Sequence, residues 1–184
     1  LKKALLSKDA NGITLKKEIV KHGYHNGRIP GDHKLDCFFE IHIEQGPILE
    51  KEKTTIGIIT GAQGSRWYNV KIIGKDSHAG STPMDSRKDS LVVASNLIIK
   101  INKLGLSYGK FGRTTVGVIN SKPSSRNTIP GYTEFTIDMR HPSNSTLLKM
   151  HNSLLKLIKN SNLKFQSKIK IEQNFNAPGV NFDK

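Results

Sequence analysis

Residues 132–140 read Tyr132-Thr133-Glu134-Phe135-Thr136-Ile137-Asp138-Met139-Arg140. Polar and apolar side chains alternate along the stretch, the period of two of a strand with one buried face. Phe135, Ile137 and Met139 point inward in this reading, and Glu134, Thr136, Asp138 and Arg140 point outward. Such a strand needs neighbours of its own kind and an apolar layer to lie against. Both are legible around it. Upstream, residues 66–75 alternate with Tyr68, Val70 and Ile72 on one face, and a further strand is expected at 114–120. Between those two runs an amphipathic helix with the stripe Leu91, Ala94, Leu97, Ile98, Ile101 and Leu104. Ser86, with Asp89 three residues on, is its expected cap, and Gly105 its expected stop. Downstream, residues 145–160 predict a second helix through Leu147, His151, Leu154 and Ile158, and Phe165, Ile169 and Ile171 mark a last strand.

The class is therefore α+β, in the order β-α-β-β-α-β. That order predicts the ferredoxin-like split unit, an antiparallel four-stranded sheet with two helices on one face. Residues 62–176 are assigned to it. Residues 1–61 read as part of a second domain, of α/β type: a short helix at 15–21, a turn at 28–31, and β-rich runs at 37–43 and 54–60. Those two runs call for a larger sheet that the chain does not complete. Residues 177–184 read as the return to that domain.

Composition narrows the function. The net charge is +14, which raises nucleic acid as a partner. The positive residues are mostly scattered lysines, however, and only six are arginine. No basic stripe with interleaved aromatics and no zinc-finger signature appears, and acidic Glu134 and Asp138 lie on the face that bases would stack on. No nucleic-acid partner is expected. No run approaches a membrane span and no secretory leader is visible. The single cysteine, Cys37, excludes an internal disulfide and favours a reducing, cytoplasmic compartment.

Two motifs carry possible chemistry. The first is Phe39-Glu40-Ile41-His42-Ile43-Glu44-Gln45-Gly46-Pro47, with His42 between two carboxylates. Spacing alone favours a strand histidine paired with Glu40 or Glu44, although neutral imidazole is also the commonest metal ligand. The second is Ser77-His78-Ala79-Gly80-Ser81-Thr82-Pro83-Met84, where His78 by itself is an exposed turn histidine. Asn127, in Ser125-Arg126-Asn127-Thr128-Ile129-Pro130-Gly131, reads as a turn asparagine. Arg140 reads as a surface arginine paired with Asp138 or Glu134.

Taken together and in this order, the four segments resemble the carbamoylase branch of the two-metal aminoacylase-like peptidases. That branch comprises N-carbamoyl-L-amino-acid hydrolases, β-ureidopropionases and allantoate amidohydrolases. The resemblance implies that His42 is a ligand of a pair of divalent ions, zinc or manganese, and that Gln45 faces the substrate. It implies that His78 reaches the partner subunit's active site and stabilises an oxyanion there. It further implies that Asn127 and Arg140 hold the substrate carboxylate. The 62–176 unit becomes a lid and homodimerisation domain, and the substrate a small carboxylate-bearing ureido acid or amide. Gln63-Gly64-Ser65-Arg66-Trp67-Tyr68 looks closer to the carbamoyl-amino-acid and ureidopropionate enzymes than to the allantoate enzymes. The family also needs a His-x-Asp pair, a Glu-Glu pair and a last histidine, none of which this chain has. The chain is accordingly expected to be the inert middle of a longer enzyme. Two other outcomes stay open: an aminoacylase or peptidase on the same scaffold, and a non-catalytic dimerisation module.

Overall fold

The computed structural model describes residues 2–25, 27, 31, 34–165 and 168–182. Most of the turn expected at 28–31 lies outside the described residues. The chain divides into two compact units, Leu1–Ile56 and Gly57–Lys184.

The first unit holds three short helices, α1 (Lys2–Leu5), α2 (Leu15–Lys21) and α3 (Ile48–Lys51). The hydroxyl of Thr14 caps α2 by accepting the Lys17 amide. The carboxylate of Glu44 accepts the amides of Ile48 and Leu49 at 2.9 and 3.0 Å and anchors α3 at its positive end. The run at 37–43 does not form a strand here, nor does that at 54–60. A strand requires a ladder partner for its amides and carbonyls; among the described residues the 37–43 run has none, and the 54–60 run has only the Thr60 carbonyl bonded to the Phe182 amide. Their β-rich composition is intact, but Phe39, Ile41, Ile43, Ile56 and Ile58 are all exposed.

The second unit is built on β2 (Gly64–Ile73), after a short β1 (Gly61–Ala62). Then come β3 (Ser77–His78), α4 (Ser90–Ser107), β4 (Arg113–Thr115), β5 (Ile119–Lys122), β6 (Thr128–Ile129) and β7 (Tyr132–His141). The unit ends with α5 (Asn144–Phe165), β8 (Lys168–Ala177) and β9 (Val180–Asn181). The main sheet runs β8-β2-β7-β4, with β5 also on β7, and every pairing is antiparallel. Register places Tyr68 opposite Ile137 and Val70 opposite Phe135, so the apolar positions of the two long strands share one face. Tyr68, Val70, Ile72, Phe135, Ile137, Met139 and Ile169 are buried on it, under Val93, Ala94, Leu97 and Ile101 of α4 and Leu147, Met150, Leu154 and Ile158 of α5.

Four boundaries differ from expectation, each for a local reason. The cap of α4 is Asp89 rather than Ser86; its carboxylate accepts the Leu91 and Val92 amides at 2.9 and 3.0 Å. Gly105 does not stop α4 but lies buried within it, where a β-carbon would strike the Thr114 hydroxyl. The strand expected at 114–120 is broken in two. From Thr115 to Ile119 the chain advances four residues while its partner goes from Asp138 to Phe135 in three, and that one-residue excess is a bulge. Finally, α5 runs on through Phe165, which the sequence pattern places in the last strand. The Asn162 side chain brackets Ile169, accepting its amide at 2.7 Å and donating to its carbonyl at 3.2 Å, and so ties α5 to β8.

Where the chain enters and leaves this unit, it pairs with itself. Gly61 lies opposite Asn181 and Ala62 opposite Val180, and the Phe182 amide donates to the Thr60 carbonyl at 2.9 Å. The Asn144 carboxamide grips Gly179 from both sides, at 2.7 and 3.0 Å.

Candidate functional site

Five residues were singled out from the sequence, two in the first unit and three in the second. In the first unit, His42 is exposed and its Nδ1 donates to the carbonyl of Ile43. That contact leaves the Nε2 lone pair as the atom able to hold a metal, the usual division of labour in a ligating imidazole. It also replaces the expected pairing with Glu40 or Glu44, and Glu44 is occupied at the start of α3. Gln45 turns the chain between them with a φ of 54°, in the left-handed region. Among the described residues no three side chains of His, Cys, Asp or Glu gather as a metal ion requires. The described residues therefore do not by themselves fit a two-metal centre.

In the second unit, β3 and β6 form a two-stranded ladder in which His78 faces Thr128. It continues the β2–β7 ribbon beyond the rung of Ile73 and Tyr132. Several bonds fix that continuation. The Gly131 amide donates to the Asp76 carboxylate at 2.6 Å, and the Gly74 amide to the Gly131 carbonyl at 2.7 Å. Buried Ser90, at the start of α4, donates to the Pro130 carbonyl at 2.8 Å and lies 2.8 Å from the Thr133 hydroxyl. One rung past His78, the Ala79 amide donates to the Asn127 carbonyl at 2.8 Å. The segments that carry His78 and Asn127, some fifty positions apart in sequence, are thus joined through their backbones.

Both side chains are exposed and locally ordered. The amides of Gly80 and Ser81 donate to His78 Nδ1 at 3.1 and 3.2 Å. An atom that accepts two N–H groups carries no proton, so the hydrogen of the neutral ring lies on Nε2, which faces away from the loop. The carboxamide oxygen of Asn127 accepts the Ser125 hydroxyl at 2.7 Å and that of Thr128 at 3.4 Å. Its NH2 group makes no bond among these local contacts. Arg87, not singled out from the sequence, holds the loop from behind. Its Nη2 donates to the carbonyls of Ala79 and Thr82 at 2.8 and 3.0 Å, and its Nε to Thr82 at 3.1 Å. The only sequence signal for it is a lone arginine shortly after the His-Ala-Gly-Ser-Thr-Pro-Met turn.

Arg140 lies at the other end of the sheet. It is opposite Ser65 on β2 and Arg113 on β4, and it grips Asp138 on its own strand through Nη2 at 2.6 Å and Nε at 3.0 Å. This is the surface pairing the sequence allowed. The Asp138 bond is the main reason the guanidinium is held still more firmly protonated than usual. Eight residue steps of extended strand lead from Tyr132 to Arg140, about 26 Å at the usual rise. One chain does not bring Arg140 to His78 and Asn127.

The peptidase dimerisation domain family matches residues 60–166, and the chain belongs to it. More particularly, the chain is similar to enzymes of the carbamoylase group. It is 34% identical over 147 residues to an N-carbamoyl-L-amino-acid amidohydrolase of Rhizobium meliloti, covering 80% of this chain and 35% of that protein. An allantoate amidohydrolase of Bacillus subtilis is also 34% identical, over 153 residues, covering 82% of this chain and 37% of that protein. Among solved structures, a hydantoinase/carbamoylase family amidase from Burkholderia multivorans aligns with a TM-score of 0.87 and 41% identity, over 99% of this chain and 44% of that one. The chain therefore spans about a third of the length of these curated relatives.

Proposed function

We propose that this chain is the lid and dimerisation part of an amidohydrolase that cleaves N-carbamoyl amino acids or ureido acids. The observation that carries the reading is the joining of the His78 and Asn127 segments at the β3–β6 ladder, with His78 Nδ1 and the Asn127 carboxamide oxygen each engaged by local donors. The sheet order β8-β2-β7-β4, with both helices on one face, supports the ferredoxin-like description of residues 62–176. The self-paired entry and exit at β1 and β9 support an insertion in a larger catalytic domain. We place residues 1–61 and 177–184 in that domain. The zinc or manganese pair implied by the resemblance finds one candidate ligand here, His42, and we assign the other ligands to parts of the protein beyond this chain.

In this reading Arg140 clamps the substrate carboxylate through its planar fork. Asn127 adds an N–H, and Gln45 is a further substrate contact that the resemblance implies. His78 offers its Nε2–H to the oxygen on which negative charge develops as the carbonyl is attacked. A donor of that kind in a dry site is worth about 2.7–4 kcal/mol. Because a span of about 26 Å along β7 exceeds any carbamoyl amino acid, His78 and Asn127 of one subunit act with Arg140 of another. The homodimer is then part of the active site. The compartment we assign is the cytoplasm; no helix among the described residues is long and apolar enough to cross a membrane.

A second reading, a purely associative module, draws on the independent core of the second unit. The two readings agree on dimerisation and differ on turnover. The test is ammonia release by the full-length protein, loaded with zinc or manganese, from N-carbamoyl amino acids, 3-ureidopropionate and allantoate. Turnover of one class that disappears in Arg140→Ala supports the proposal. Silence across the panel with metal bound overturns it in favour of an aminoacylase, a peptidase or a bare association module.

A further inference from the structure

The loop that carries His78 is held by a single cation. After β3, the amides of Gly80 and Ser81 both turn onto His78 Nδ1, and the Thr82 amide donates to the His78 carbonyl at 3.2 Å. Successive N–H groups converging inward form a small nest, and their carbonyls must then point the other way. One of those carbonyls, Ala79, shares its peptide plane with the Gly80 amide, and with the Thr82 carbonyl further along the loop it converges on Arg87, which donates to the two of them three times and is partly buried. Among the described residues no carboxylate forms an ion pair with Arg87, and its hydrogen bonds go to the loop backbone. Gly80 lets the imidazole seat itself: a β-carbon there would lie 3.2 Å from the ring Cε1.

We propose that Arg87 is a positioning residue that fixes the tautomer of His78. By drawing the Ala79 carbonyl to one side, it aims the Gly80 amide of the same peptide unit at Nδ1, and by holding the Thr82 carbonyl it closes the loop that brings the Ser81 amide there, so the ring hydrogen sits on Nε2. The other tautomer would present a lone pair, not a donor, to a developing oxyanion. This inference rests on the assignment of His78 as that donor, and it extends the site to a residue that touches no substrate.

The test uses Arg87→Gln and Arg87→Lys in the 184-residue chain, with imidazole nitrogen NMR reading the tautomer of His78. His78→Gln assigns the signal, and the Tyr68–His151 pair, bonded at 2.8 Å in the core, reports that the fold is intact. The unaltered chain should show hydrogen on Nε2 alone. Arg87→Gln should show both tautomers and displaced Gly80 and Ser81 amide signals. Arg87→Lys, a single point donor, should fall between, and it carries the test if the glutamine variant does not fold. In the full-length enzyme, kcat should fall about tenfold to a hundredfold with little change in KM, short of the loss expected for removing the donor itself.

The outcomes separate cleanly. An unchanged tautomer and unchanged amide signals in the folded variants overturn the role of Arg87, whatever happens to kcat. A lost tautomer with kcat intact sustains that role and instead removes His78 as the oxyanion donor.

Discussion

The Ala79 amide donates to the Asn127 carbonyl at 2.8 Å, one rung beyond the pairing of His78 with Thr128. Through that bond the histidine loop and the asparagine loop form one structural piece. A change that shifts either segment should therefore disturb both side chains.

The first prediction concerns the orientation of Asn127. Its carboxamide oxygen is engaged by Ser125 and Thr128, so its NH2 faces the substrate carboxylate in the proposed site. Asn127→Asp replaces a donor by a like charge. A hydrogen bond to a charged group is worth about 1.5–3 kcal/mol, so kcat/KM should fall at least tenfold to a hundredfold or so. Ser125→Ala frees the amide to rotate and should produce a smaller loss of the same kind. Steady-state hydrolysis by the full-length protein measures both.

Arg140 and Asp138 make a different case. The pair is half exposed, so Asp138→Asn should cost less than about 1 kcal/mol of stability. Its effect should appear in substrate binding, because the carboxylate that holds the fork in place is gone. Arg140→Lys keeps the charge but loses the paired geometry, and should raise KM by about tenfold. Urea titration and kinetics, run side by side, separate stability from binding.

A pH dependence follows from the core. Tyr68, fully buried on β2, lies 2.8 Å from His151 Nδ1 on α5. Burial first, and then the Arg66 cation, hold the His151 imidazole below its ordinary range. Burial pushes the Tyr68 phenol up, against a smaller opposing pull from Arg66, so it stays a neutral donor. The unfolded chain therefore binds this proton more readily than the folded one. Stability should be full above about pH 6.5 and should decline as the pH drops from there toward the depressed folded value. Comparing urea midpoints at neutral and mildly acidic pH checks this, and His151→Gln should flatten its share of the slope.

Gly105→Ala sets two effects against each other. Alanine in mid-helix gains up to about 1 kcal/mol over glycine. Here the added carbon strikes the Thr114 hydroxyl, which donates to the Ile101 carbonyl at 2.8 Å and joins the helix to β4. Overpacking of this kind costs about 1–3 kcal/mol, and it should win. A lower urea midpoint with an unchanged slope is the expected signature.

Much of the second unit was legible because its core pattern is local. The alternation of Phe135, Ile137 and Met139, and of Tyr68, Val70 and Ile72, gave both long strands, and every one of these residues is buried. On α4 the stripe missed Val93, which is buried, and included Leu91, which is exposed. Boundaries set by side chains reaching across space were less legible. The Asp89 cap, the Asn162 bracket and the packing of Gly105 all depend on which backbone atoms come near. In the first unit the β-rich runs at 37–43 and 54–60 could be read, but composition does not supply a ladder partner. Of the site, residue types and order were readable from motifs. The separation of Arg140 from His78 and Asn127 along β7 was implicit in strand length, while the part played by Arg87 left almost no trace in sequence.

The central claim is that two subunits build each site, and mixing inactive variants of the full-length protein tests it most directly. His78→Ala and Arg140→Ala should each be inactive alone. Dissociated and reassembled together, half of the dimers are mixed and each contains one intact site, so about a quarter of full activity should return. His78→Ala mixed with Asn127→Ala should recover nothing, because both residues come from the same subunit. Failure of the first mixture to regain activity, with mixed dimers shown to form, would contradict the account.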